Sequence, residues 1–523
     1  MTHYSADEQL VLEHFFSNLD KQVFIAKNFH PEVWALMQAR YSRAKDGMRE
    51  SFLKLLKEDE ESYHKLFNTL REQSLDDGVE HATKKAMEFM ERWVLGYGHQ
   101  SVAEGAVIGI GIENASILAT KFIQENRLAS YIEKSTRYVK FTREHLKCDQ
   151  AVLDSPHGEE ARAFLDELFD LYEKLSPIIL EHVRKKNPYK PGMSESAWKR
   201  STAARRFDAI RYILPAGTST SFGWTVNARA LAYGLQKMLS SPLAEVRELG
   251  KTIKKEAKKT LPSLLKYADK NEYLANVDEE AANAAPEMPP AGKPEANTVR
   301  LVEATADAED IILAGMLYAH SHTDYDAAKQ RVKQMSAEER EQLFDAYFKH
   351  MGPHDWPRRE LEHVSYTFDI TMDYGAFRDL QRHRITTQTQ QPLTTYHGYE
   401  TPQDIIDAGY QEEYDNVMRK ADELYRKLAP EHPYGAQYII PMAYRKRFLM
   451  TANLRELHHL IKLRSAEQGH ESYRKIAIEM YDQLVERHPL LTKHLACTKT
   501  ESDLNRLKSE SRFEKKMERR KTS

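Results

Sequence analysis

Residues 211–239 read RYILPAGTSTSFGWTVNARALAYGLQKML, and residues 437–464 read QYIIPMAYRKRFLMTANLRELHHLIKLR. In each stretch a proline (Pro215, Pro441) stands twelve residues before an asparagine (Asn227, Asn453), and an arginine (Arg229, Arg455) follows that asparagine by two. A second pair of matches precedes these in the same order. Val364, Tyr366, Phe368, Ile370 and Met372 alternate with polar residues, the period of a half-buried strand, and the helix-compatible GAFRDLQRHR follows. In the first half Ile108, Ile110 and Ile112 alternate with Gly109 and Gly111, and ASILATKFIQENR follows. Strand, helix and polar cluster therefore occur twice, which is the signature of an internal duplication.

The repeat organises the rest of the chain. A length of 523 residues suggests roughly three domains as a prior, and the duplication reduces this to two homologous units over 1–280 and 299–497. Between them Ala281 to Thr298 reads AANAAPEMPPAGKPEANT, whose four prolines forbid a continuous helix or a central strand. This is expected to be a linker, with an ordered surface excursion as the alternative. TVRLVEATADAEDIILAGMLYAH, a β-prone run and then a helical pattern, reads as a fresh start. The tail, 498–523, is mixed in charge and nearly free of core residues. A solvated helix or a frayed end is expected there, with a basic arm on nucleic acid as the sharper alternative.

Composition excludes several classes. With 41% hydrophobic and 30% charged residues the chain can build a core and is not disordered as a whole. Seventy-six basic against 79 acidic residues give a net charge of −3, which argues against a nucleic-acid coat. Cys148 and Cys497 form no CxxC pair, so neither a disulfide scaffold nor a thiolate zinc site is expected, and a reducing cytoplasm is. The opening MTHYSADEQLVLEHFF meets Asp7 and Glu8 before any apolar run, unlike a signal peptide. No stretch approaches the ~18 apolar residues of a membrane span.

RHRITTQTQQPLTTY (Arg382 to Tyr396) is the most concentrated polar cluster, and its guanidinium forks suit phosphate or carboxylate. A solvated basic turn is the plainer reading. Arg464 falls on the apolar stripe of the helix after Asn453, seven residues after Leu457 and four after Leu460. A cation facing inward needs a partner, either a structural carboxylate or a ligand phosphate. SYIEKSTRY (Ser130 to Tyr138) offers hydroxyls, a carboxylate and an arginine, and could equally be a helix cap. Arg211, before a Pro-Ala-Gly turn, is ambiguous alone. There is no GxGxxG, no HExxH and no nucleophile elbow, and Gly250-Lys251-Thr252 fails as a P-loop because Glu245 holds the first glycine's place.

These residues resemble the flavin-dependent thymidylate synthases, the ThyX family, whose signature is RHRxxSxxExSxRY with GHxSxxEH upstream. The signature is divided between the halves. The first keeps Ser130, Glu133, Ser135, Arg137 and Tyr138 but has Glu125 and Asn126 where RHR begins; upstream, Gly98, His99, Ser101 and Glu104 fit, at a spacing one residue longer. The second keeps Arg382, His383 and Arg384, with Thr387, Gln390, Pro392 and Thr394 at the remaining places, and Glu362-His363 upstream. The arginine before the family's proline is Arg211 in the first half and Gln437 in the second. The arginine eleven residues after the asparagine is Arg464 in the second half and Met238 in the first. The family glutamine that helps read uracil is Phe122 or Asp379 here.

The resemblance implies an α+β fold of two fused ThyX-like units, each a mixed sheet packed with long helices, with an insertion near 155–205. It implies one composite site per chain, because each half keeps the residues the other has lost, and a homodimer that mimics the family's tetramer. It implies reductive methylation of dUMP to dTMP, with methylenetetrahydrofolate as one-carbon donor and FAD reduced by NADPH. Substrate would be held by Glu133, Ser135, Arg137, Arg211, Arg382 and Arg464, the last two also acting catalytically. Flavin would meet His99, Ser101, Glu104, Ser130, His383, Arg384, Asn453, Arg455 and His459. No metal, membrane or nucleic acid is expected. Methylation of another pyrimidine nucleotide, or nucleotide binding without catalysis, are the alternatives.

Overall fold

The computed structural model describes residues 4–41, 45–57, 100–286, 292, 296–500 and 504–522. His99, one of the implied flavin residues, lies outside them. The two repeats form matching sheets. The first runs β1 (Val107–Ser116), β3 (Ser219–Asn227), β2 (Ala129–Glu133). The second has the same order, β5 (Ser365–Asp373), β7 (Arg445–Asn453), β6 (Thr386–Gln390), with β4 (Thr298–Ala304) added at the β5 edge.

The register repeats as well as the order. Ala129 opposes Val226 in the first sheet, and Thr386 opposes Ala452 at the corresponding place in the second. β5 is antiparallel to β7 and so is β6, so the second sheet is antiparallel rather than mixed. Its parallel-running members, β5 and β6, are kept apart by β7, which slots between them. Val364, Tyr366, Phe368, Ile370 and Met372, the apolar phase of β5, are all buried. The extra residue of the first repeat sits in β1, which has ten residues against nine in β5. Asn114 in β1 takes φ +57°, a left-handed conformation that asparagine tolerates better than most residues and that suits a bulge.

β1, β3, β5 and β7 each hand over to a helix in the same way. Ser116 caps the helix Ile117–Ile123 by accepting the amide of Ala119, and Asp373 caps Tyr374–Leu380 by accepting that of Ala376. Asn227 and Asn453 likewise cap the helices Ala228–Leu239 and Leu454–Arg464. The helix expected to run through RHR stops at Leu380, so Arg382, His383 and Arg384 fall in the turn before β6.

Contacts divide the chain into two compact units, neither continuous in sequence. The first comprises Met1–Ala115, Leu128–Glu133 and Ser221–Glu287. The second comprises Ser116–Arg127, Lys134–Thr220 and Met288–Ser523, and so takes a large part of the first sequence half. The reason is a pseudo-twofold pairing inside that second unit. Pro215 bridges Pro441, its own repeat counterpart. Ala216 N–H donates to Ile440 C=O (2.8 Å) while Met442 N–H donates to Leu214 C=O (2.9 Å). Gly217 N–H donates to Tyr438 C=O (2.9 Å) while Ala443 N–H donates to Tyr212 C=O (3.0 Å). Each bond is the image of its partner under exchange of the repeats.

One boundary differs from expectation, and the tail takes the first of the two states expected of it. The helix Glu272–Ala284 continues four residues into the proline-rich stretch, ending just before Pro286 as proline's missing donor requires. The tail forms a helix, Leu507–Thr522, preceded by Leu504 and Arg506, both buried. It is anchored rather than frayed. Among the described residues no helix is long and apolar enough to cross a membrane.

Candidate active site

The helix Glu195–Ile210 ends at Arg211, its C-cap, where a cation meets the helix's unsatisfied carbonyls. Arg211 is only 2% exposed, and its Nε and Nη2 have no hydrogen-bond partner among the described residues. Three residues earlier, on the same helix, Asp208 is buried. Its carboxylate accepts two bonds from Arg137, from Nε at 2.7 Å and from Nη2 at 3.0 Å. The third nitrogen of Arg137 donates to the Tyr473 hydroxyl at 2.9 Å. Ser135 accepts the amide of Arg137 at 3.2 Å, shaping the turn that aims it.

Asp208 serves a second arginine. Arg506, from the tail, donates Nη2 to both carboxylate oxygens at 3.2 and 3.0 Å. Burial would raise the Asp208 pKa, but Arg137 and then Arg506 drive it well below the carboxylate range. Burial opposes the charge of Arg137 too, and Asp208 more than offsets it. His470 beside them is kept neutral, first by burial and then by the field of Arg211. Its Nδ1 accepts the Ser472 amide and its Nε2 faces the Asp208 carbonyl.

A second carboxylate, Asp379, stands on the helix Tyr374–Leu380. Burial pushes its pKa up, but Arg464, Arg137, Arg211 and Arg382, in that order, bring it down to about 2. Four arginines drawn from both sequence halves thus act electrostatically on one carboxylate, with Arg464 in contact range of it. With Arg506, five guanidinium groups face Asp208 and Asp379, and Asp373 stands beside Arg211 as a third carboxylate; the cations remain in excess, which suits an anion.

Arg464 is held by a relay. Its Nε donates to His383 Nε2 at 2.9 Å, and its Nη1 lies 3.7 Å from Asp379. Because Nε2 accepts, His383 carries its proton on Nδ1, which donates to Glu456 at 2.7 Å. Burial, aided by Arg464 and opposed by Glu456, lowers the His383 pKa and keeps the ring neutral. Both ring nitrogens of this implied flavin residue are therefore engaged within the protein.

The other sequence-derived residues fall as follows. Arg382 and Arg384 are exposed. His459 lies against Trp356 (4.4 Å between ring centroids) and near His383 (5.4 Å). Asn453 spends its side chain on the helix cap. Arg455 binds Glu362 at 2.9 Å and the Pro357 carbonyl at 2.7 Å. In the first unit Glu104 pairs with Arg229 at 2.5 Å, the repeat image of the Glu362–Arg455 pair. Ser101 and Ser130 are exposed, and Glu133 is buried in β2.

The repeat counterpart of the arginine cluster lacks its charge. Gln437, in place of Arg211, accepts the Leu393 amide at 3.1 Å. Phe122 replaces Asp379, Glu125 replaces Arg382 and Thr394 replaces Arg137. A phosphate there would meet a carboxylate instead of a guanidinium.

Sequence reasoning did not single out Asp208, Tyr473, Glu456 or Arg506. Asp208 carries one local signal, its position three residues before Arg211 on the same helix face. Arg506 carries none.

Comparison with known proteins places the chain. The family described as thymidylate synthase complementing protein matches residues 31–263 and 300–490. A UPF0159 protein of Chlamydia muridarum is 33% identical over 97% of this chain and 98% of its own length. A flavin-dependent thymidylate synthase of Pyrococcus abyssi is 32% identical over 25% of this chain and 58% of its own. Among solved structures, ThyX of Helicobacter pylori complexed with FAD and dUMP matches at 22% identity with a TM-score of 0.28. That match covers 38% of this chain and 99% of that one.

Proposed function

The chain belongs to the thymidylate synthase complementing protein family, and on that premise we propose that it is a flavin-dependent thymidylate synthase with one composite site per chain. The observation that carries this reading is the approach of Arg464 to Asp379 at 3.7 Å, with Arg382 and, from the other repeat, Arg137 and Arg211 within electrostatic reach of the same carboxylate. Arg211 supports it most directly. A buried guanidinium with two unspent donors costs the free protein stability and is relieved by an anion. The nucleotide phosphate is the anion proposed, and Arg137 lends its field while its own donors are spent on Asp208 and Tyr473.

Arg382 and Arg464 would stabilise negative charge developing on the pyrimidine carbonyls, a preorganised electrostatic role. Arg464 suits it because the Glu456–His383 relay fixes its direction before substrate arrives. The absence of a nucleophile motif accords with chemistry carried by a cofactor. FAD, reduced by NADPH, would supply two electrons, while methylenetetrahydrofolate supplies the carbon that replaces hydrogen at C5 of dUMP. The donor set fits such a group. Arg384 is exposed and His459 rests on Trp356, so both have surface left for it, whereas His383 would act by orienting Arg464. His99, Ser101, Glu104, Ser130, Asn453 and Arg455 remain cofactor candidates. The active form is proposed to be a homodimer carrying two such sites.

Tritium release from 5-tritiated dUMP, with methylenetetrahydrofolate, FAD and NADPH present, is the expected activity. Purified chain that binds flavin yet releases no tritium would sink the reading. Asp379 favours one alternative. An ionised carboxylate only accepts hydrogen bonds, whereas the family's glutamine both donates and accepts. Methylation of a pyrimidine with a different donor edge is therefore the second reading, and it predicts that another pyrimidine nucleotide outcompetes dUMP. A colourless protein that binds nucleotide without turnover would indicate a binding role.

A further inference from the structure

The tail lies beyond both segments matched by the family, yet it delivers a buried arginine to the arginine cluster. Arg506 is 3% exposed. Its Nη2 bridges both oxygens of Asp208, the carboxylate that Arg137 grips from the other side. Its guanidinium lies over the ring of Tyr138 at 4.8 Å, so it touches the neighbour and the counterion of Arg137 together. Its Nη1 is buried with no hydrogen-bond partner among the described residues. The arm is held in place on both sides. Asn505 donates to the Gly469 carbonyl at 2.7 Å, and Arg200 of the helix Glu195–Ile210 donates to Glu510 at 2.7 Å and Glu514 at 2.6 Å. Ser194 and Ser196 donate to Glu514 as well.

The electrostatics give this arrangement a purpose. Arg137 and Asp208 alone would form a neutral bidentate pair with little field left for an incoming anion. A second guanidinium on the same carboxylate leaves the trio with one uncompensated positive charge in a low-dielectric site, where it acts over several ångströms. A purely structural tether would not need a cation at that place, since Asn505 and the Arg200 pairs already fasten the arm.

We propose that the tail is a third contributor to the nucleotide site, and that Arg506 is a positioning residue which shares Asp208 with Arg137 to raise the site's affinity for a phosphate monoester. The inference rests on the reading of this cluster as the dUMP site. It gives the arm a functional role and makes the substrate phosphate the group that senses it.

The test compares dUMP and deoxyuridine binding to the full chain by calorimetry, for the wild type, Arg506→Gln and Arg506→Lys, with flavin content followed by absorbance. Arg506→Gln is expected to weaken dUMP by about tenfold or more, the effect of one charge at short range, with deoxyuridine and flavin unchanged. Arg506→Lys should recover much of the loss because it keeps the charge. The double variant Glu510→Gln/Glu514→Gln, which loosens the anchor and leaves the cluster intact, should weaken dUMP in the same direction by less. Equal dUMP affinity in wild type and Arg506→Gln overturns the inference and leaves the dUMP site standing. Parallel loss of dUMP and deoxyuridine, or loss of flavin instead, also overturns it. A wild-type chain that binds no dUMP removes the site and the inference together.

Discussion

At the scale of single residues, the site depends on which proton His383 carries. Arg464 can be held only while Nε2 is bare, and Glu456 keeps the proton on Nδ1. The His383 pKa is depressed below its ordinary 6.5, chiefly by burial. The unfolded chain therefore takes up this proton first as pH falls. The stability contributed by neutral His383 is present above pH 6.5 and declines below it until the folded ring protonates. Nucleotide affinity should fall further into acid, where the folded ring itself protonates and Nε2 can no longer accept, measured by calorimetry as a function of pH; a profile flat down to the pH at which the fold is lost would exclude the relay. Glu456→Leu, which removes the acceptor, should cost about 1 kcal/mol or more of dUMP binding, and Glu456→Gln less. Arg211 gives the sharper test: Arg211→Gln should abolish the rise in melting temperature that dUMP gives the wild type. The site's polar residues were partly legible from the chain. Arg137, Arg211, Arg382 and Arg464 could be read because they fit a spaced pattern. Their counterions could not, because the Arg137–Asp208 and Arg506–Asp208 bonds span 71 and 298 residues and leave no local periodicity.

At the scale of elements, duplication explains more than propensity does. The alternation in β5 and the repeated proline–asparagine–arginine spacing were legible because each is a local pattern, whereas the asparagine caps and the repeated register came from the structure. The antiparallel second sheet was not, since nothing in the spacing of β5 and β6 says that a strand some 55 residues later inserts between them. Two element-level predictions follow from this geometry. Asn453→Ala should cost about 1 kcal/mol through loss of the cap, read by urea denaturation. Asn114→Gly should be tolerated while Asn114→Val loses roughly 1–2 kcal/mol, because a β-branched residue resists a φ of +57°. Equal stability of the two Asn114 variants would show that β1 absorbs its extra residue elsewhere.

At the scale of the whole molecule, two copies of one unit have become chemically asymmetric. The backbone of the second contact unit keeps its pseudo-twofold pairing at Pro215 and Pro441, while the side chains around it have diverged. One side of the axis gathers arginines around Asp208 and Asp379. The other carries Phe122, Glu125, Thr394 and a Gln437 that accepts the Leu393 amide. A duplicated chain can keep the fold of both copies and still concentrate the chemistry in one place. Gln437→Arg should accordingly add no second site. The most direct test is the stoichiometry of dUMP binding to the full chain, by calorimetry with flavin bound, for the wild type and Arg211→Gln. One dUMP per chain is expected in the wild type and none in the variant. Two dUMP per chain, or one retained by Arg211→Gln, would contradict that expectation.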